Sequence, residues 1–123
     1  MEHLSIYCEL SLIEFCNKLK NIMNISEFMF NMENETEWGE SDNEFIKINV
    51  SRPFKVGMLQ EWDSTVPAKC NFGITILDGI KDVEEIKNIC QLIANEFNSS
   101  IYYHRSWVSP GVNIKRNIQI QPY

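Results

Sequence analysis

At 123 residues, with 44% hydrophobic and 23% charged side chains, the chain has the length and composition of one globular domain, residues 1–123, able to bury a core of its own. Seventeen acidic against eleven basic residues give a formal charge of −6, which disfavours nucleic acid and anionic membranes as the main partner and favours a basic one. The opening Met1-Glu-His-Leu-Ser has no basic start and no apolar block, and no apolar run approaches the length of a membrane span, so the expected location is the cytoplasm.

Leu4, Ile6, Cys8 and Leu10 alternate with Ser5, Tyr7 and Glu9, the two-residue period of a strand over residues 4–10. Ser11 with Glu14 then forms a capping box, and Leu12, Phe15, Cys16, Leu19, Ile22 and Met23 fall on one stripe of a helix that should end near Asn24. Strands are expected over residues 27–32 and 44–50, the second with Ile46, Ile48 and Val50 on one face and Phe45, Lys47 and Asn49 on the other. Between them residues 33–44 hold six carboxylates and no Lys or Arg, and Gly39 and Ser41 mark a turn within what reads as an acidic hairpin loop.

Pro53 and Pro67 bracket a less regular connection with room for a short helix over residues 57–62. The strongest structural pattern follows it. An alternating strand (Cys70 to Leu77), a helix capped by Asp82 and Glu85 (residues 82–97) and an aromatic strand (Ile101 to His104) predict two parallel strands of one sheet joined by a helical crossover. Trp107 to Val112 turns the chain into a last strand, residues 113–120, with Ile114, Ile118 and Ile120 sharing a face with Arg116.

The order β-α-β-β-β-α-β-β predicts an α+β fold, a ferredoxin-like two-layer sandwich. Its mainly antiparallel sheet would have five or six strands, with two helices on one face and the other face only partly covered. Tyr7, Phe45, Lys47, Asn49, Tyr102 and His104 have the phase to line that second face. Cys8, Cys16, Cys70 and Cys90 occupy apolar-phase positions without a C-x-x-C pair and read as buried packing residues.

No motif carries a self-evident chemistry. Glycine-rich phosphate loops, H-E-x-x-H and G-x-S-x-G are absent, and the acidic stretch lacks calcium-loop spacing, so no catalytic residue, metal site or cofactor is assigned. Two surfaces stand out instead. Glu33, Glu35, Glu37, Glu40, Asp42 and Glu44 surround Trp38, a set that would steer a cationic protein and anchor it on an aromatic ring. Tyr102, His104 and Trp107, with Tyr103 and Arg105, mix aromatic and basic character, but without a basic stripe elsewhere they do not read as a base-stacking platform; Tyr103 reads as core packing, and Tyr102, His104 and Trp107 as a protein contact.

In size, acidity, lack of a catalytic motif and a two-helix-plus-sheet pattern ending in Cys70-Asn-Phe-Gly-Ile-Thr-Ile through Ile101-Tyr-Tyr-His104, the chain resembles the immunity proteins that bacteria pair with contact-dependent or polymorphic toxins. The resemblance implies a non-enzymatic inhibitor that binds a cognate toxin domain, often a basic nuclease, and covers its active site with carboxylates. The alternative from another class is a small-molecule regulatory or enzymatic module using the open sheet face around His104 and Tyr102.

Overall fold

A computed structural model describes residues 2–64, 66–80, 82–105 and 117–122. Along the chain the elements are β1 (Glu2–Ile6), α1 (Leu12–Ile22), β2 (Met29–Glu33), β3 (Thr36–Asp42), β4 (Lys47–Pro53), α2 (Met58–Trp62), β5 (Phe72–Asp78), α3 (Val83–Phe97), β6 (Ile101–Arg105) and β7 (Asn117–Ile120). The fold is α+β, as the periodicities predict, but the sheet has seven strands rather than five or six, in the order β2-β3-β4-β5-β1-β6-β7, and every neighbouring pair is antiparallel.

Both long helices begin where side chains cap them. In α1 the Glu14 amide donates to Ser11 Oγ and the Ser11 amide to Glu14 Oε1, each at 3.2 Å, completing the capping box. The Glu85 amide donates to Asp82 Oδ1 at 2.8 Å at the start of α3, and Asn98, in a left-handed conformation (φ 48°), ends it. β1 stops earlier than its alternation suggests because the Asn71 side chain takes over the pairing at Cys8. Its Oδ1 accepts from the Cys8 amide (2.9 Å) and its Nδ2 donates to the Cys8 carbonyl (2.7 Å).

β1 enters the sheet between β5 and β6 and pairs antiparallel with both. The strands joined by the α3 crossover therefore do run parallel to each other, as expected, yet they are not neighbours. This insertion puts Leu4 and Ile6 at the centre of the core, between Phe72, Ile74 and Ile76 on one side and Ile101 and Tyr103 on the other.

One cluster forms the main core, with Phe15, Cys16 and Leu19 of α1 and Ile86, Cys90, Ile93 and Ala94 of α3 packed on one sheet face. At its middle Phe15 stacks on Phe72 (centroids 4.2 Å apart) and on Phe97 (4.3 Å), tying α1, β5 and α3 together. Cations close the ends of this stack: Arg52 lies 5.7 Å from the Phe72 ring centre and Lys18 lies 5.3 Å from that of Phe97. All four cysteines are buried free thiols, and burial pushes those of Cys16 and Cys90 up to about 12, so these two are un-ionised packing groups.

The short α2 lies over the opposite sheet face. A Leu59 methyl sits where a side chain on Gly73 would point, 3.2 Å from the position of a Cβ there. Met58, Leu59 and Cys70 are buried by this contact although they stand outside the main cluster. After β4, Leu59, Trp62, Asp63 and Val66 thus cover part of the second face.

Two expectations for the acidic stretch fail. Residues 33–44 are not a loop, because Thr36–Asp42 is a full strand paired along its length with β2 on one side and β4 on the other. The flanking strands move with it, to Met29–Glu33 and Lys47–Pro53. β3 hides from hydropathy because its core-side positions are Gly39 and Ser41: Phe28 and Phe30 pack onto Gly39, and Ser41 Oγ donates to the Ser26 carbonyl at 2.8 Å. Of the last expected strand, Asn117–Ile120 is β7, while residues 113–116 and the 107–112 turn lie outside the described residues.

Candidate functional site

The register aligns the second sheet face in two rungs. Glu40, Asn49, Thr75, His3 and His104 are successive partners across β3, β4, β5, β1 and β6, and Trp38, Ser51, Gly73, Ser5 and Tyr102 form the next rung. The acidic and the aromatic surfaces therefore share two rows of one face, four strands or roughly 19 Å apart. α2 stands between them.

The remaining acids disperse. Asp42 is exposed and continues the face of Trp38 and Glu40, and the Trp38 indole donates to Glu40 Oε1 at 3.1 Å. Glu33 is exposed at the end of β2. Glu37 points to the helix side, where Arg52 Nη1 donates to its Oε1 at 3.2 Å, a partly exposed pair of small energetic weight. Glu35 sits in the β2–β3 turn and Glu44 in the β3–β4 turn, separated by the length of β3, about 20 Å. The six carboxylates do not form a single cluster: Glu33, Glu40 and Asp42, beside Trp38, are the subset that shares a face.

Of the second surface, Tyr102 is half-buried with Lys69 Nζ 5.6 Å from its ring centre, and His104 is buried, only 4% exposed. Tyr103 points the other way into the core, its hydroxyl donating to Glu2 Oε2. Trp107 lies outside the described residues.

Between α2 and the sheet is a cavity of about 310 Å³. Its floor carries His3, Ser5, Ser51, Thr75 and His104, and its roof Leu59, Trp62, Asp63 and Val66. Ser5 Oγ is hydrogen-bonded to His104 Nε2 at 2.8 Å and His3 Nδ1 to Thr75 Oγ1 at 3.0 Å, so both imidazoles are held in place. Tyr102 is not among the lining residues. Ser5, Thr75 and Asp63 are not singled out by the sequence, and His3, one of its two histidines, is given no role by it, although His3 and Ser5 have the phase opposite Leu4 and Ile6 and so belong to the second face. Their convergence needed the placement of β1 and α2.

Burial lowers the pKa of His3 below its ordinary 6.5; the Asp63 carboxylate opposes the shift without cancelling it. The neutral ring is the form the fold prefers, so the stability it contributes is fully present above about 6.5 and is lost as the pH falls from there through the lower folded value. Thermal unfolding followed from about pH 8 to about pH 5 should show a decline that is shallower in His3→Gln. Identical pH slopes in the two proteins would contradict this assignment.

Among the described residues no group of three or more His, Cys, Asp or Glu side chains is placed to hold a metal ion, and no helix is long and apolar enough to cross a membrane. Comparison with protein-family models, with curated proteins and with solved structures found no match to the chain.

Proposed function

We propose that this chain is a non-enzymatic immunity protein that binds and neutralises a cognate toxin domain, basic and nuclease-type, in the cytoplasm, and that it does so with the β2–β3 end of its sheet. The supporting observation is the edge strand β2. Met29 (79% exposed) projects from it into solvent on the face of Glu33, Glu40 and Asp42, while Phe30 (43%) and Met32 (68%) are exposed on its other face, beside Glu37. β2 is the end of the sheet among the described residues, so one side of its backbone faces outward. A flat apolar edge without a covering partner invites association, and acids around it select a cationic one.

The same proposal extends to the architecture. Strands β6-β1-β5-β4 with α1 and α3 make a ferredoxin-like unit, into which the β2–β3 hairpin is inserted between α1 and β4 and onto which β7 is added. The contact surface is then an appendage of the scaffold, and recognition can vary without disturbing the core.

Titration against a panel of basic nuclease toxin domains tests the reading. With the cognate domain, Trp38→Ala should weaken binding by roughly thirtyfold or more, as loss of an aromatic anchor does. Replacing Glu33, Glu40 and Asp42 together by Ser should slow association and flatten its salt dependence. If both variants bind with unchanged affinity and unchanged salt dependence, this end of the sheet is not the contact surface.

A further inference from the structure

We infer that a second cavity, beside the first turn of α2 at the Tyr7 end of β1, is a binding site for a small aromatic anion. It shares no residue with the proposed contact surface, so the two readings stand or fall separately.

Charge gives the ligand its sign. Arg52, Lys55 and Lys69 line the cavity, and no Asp or Glu does so among the described residues. Arg52 is already matched by Glu37, so the two lysines set the charge. Both are exposed, and neither forms an ion pair among the described residues. Lys69 Nζ stands 5.6 Å from the Tyr102 ring centre, and a π face steadies an ammonium without neutralising it. Glu9, which accepts a hydrogen bond from the Tyr7 hydroxyl at 2.9 Å, is not among the lining residues. At physiological salt, charges more than about 8 Å away are largely screened, so these lysines rather than the net −6 govern an anion that has entered.

The walls give the ligand its body. Tyr7 (41% exposed), Phe54 (53%) and Val56 (93%) leave apolar surface in solvent around the cavity, beside the buried Met58, Leu59 and Cys70. Apolar groups gathered in this way around a concavity mark a place where a ligand removes them from water. The neutral polar groups are engaged elsewhere: the Asn71 amide is spent on the Cys8 backbone at 2.9 and 2.7 Å, and the Tyr7 hydroxyl donates to Glu9. Cations and apolar surface remain, and an apolar ring carrying one acid group complements both. The volume of about 330 Å³ holds about eleven water-sized groups at roughly 30 Å³ each, enough for a single ring with a short arm.

Phenyl phosphate, phenylacetate and 2-phenylethylamine, with inorganic phosphate as the anion without a ring, separate these contributions when titrated into the full chain with amide chemical shifts followed by NMR. The two aromatic anions should shift the amides of Tyr7, Lys55, Gly57, Lys69 and Cys70 and bind roughly tenfold more tightly than the amine. The tighter of the two identifies the acid group, phosphate or carboxylate. Inorganic phosphate should bind roughly tenfold more weakly than phenyl phosphate. The double variant Lys55→Gln with Lys69→Gln, two exposed positions, should leave the spectrum folded and abolish the preference for anions, whereas Lys87→Gln on α3 should keep it. Absence of shifts at these amides with millimolar aromatic anions overturns the proposal. So does equal or tighter binding of the amine or of inorganic phosphate, or an anion preference that survives in the double variant.

Discussion

Phe15→Ala is expected to destabilise the protein by about 3–5 kcal/mol, a large part of the 5–15 kcal/mol that holds a domain of this kind together. The Phe15 ring is fully buried and stacked on both sides, near-parallel to Phe72 (9°) and Phe97 (16°). Removing it deletes the ring stacking that joins α1 to β5 and α1 to α3, and the rigid sheet beneath gives the cavity little chance to close. Urea denaturation provides the measurement, with Ile13→Ala on the exposed side of α1 (56% exposed) as the control that should stay within about 0.5 kcal/mol. A loss in Phe15→Ala no greater than in the control would mean that the stack is not what joins the helices to the sheet.

Gly79→Ala is expected to cost about 2–4 kcal/mol, through backbone rather than packing. Gly79 follows β5 with φ at +106°, a conformation that disfavours any side chain, and a Cβ there would lie 2.3 Å from the Phe45 carbonyl oxygen and 2.9 Å from Ile46 Cα. Neither atom belongs to a flexible side chain, so the β3–β4 turn or the approach to α3 must shift. Gly57 supplies the comparison: its φ of +91° is equally unfavourable, but nothing lies within 4 Å of its would-be Cβ. Gly57→Ala should cost only the conformational part, about 1–2 kcal/mol. Equal losses in the two variants would show that the close approach at Gly79 relaxes freely.

The helices were legible because two independent patterns agree at each: apolar steps of three and four, and a capping residue at the start. Ser11 and Asp82 mark the starts that the structure has. Strand β5 was legible for the same kind of reason, since Phe72, Ile74 and Ile76 alternate and are all buried. β3 was not, because a strand whose core-side residues are Gly39 and Ser41 borrows its apolar contacts from Phe28 and Phe30 of the preceding segment. The strand count and the acidic loop both failed at this one point.

The candidate sites show the same division. Trp38, Glu40, Tyr102 and His104 stood out by residue type, yet their placement on two shared rungs depends on which strands are neighbours, and that is decided by tertiary packing. His3 and His104 are the only histidines in the chain, and at a separation of 101 residues nothing local pairs them. β1 makes them register partners. Asp63 joins them only because α2 folds back over the sheet.

The position of β1 also governs how the chain can reach its fold. Leu4 pairs with Ile74 and with Tyr103, so its two ladders close loops of about 70 and about 100 residues. The earliest strand to be synthesised is thus the one that waits longest for partners, and the sheet's centre cannot assemble until residue 105 has left the ribosome. Contacts this distant in sequence slow the search for the native pairing. Until the search ends, β1 stays an unpaired strand with an apolar face, the period in which the nascent chain is most open to aggregation.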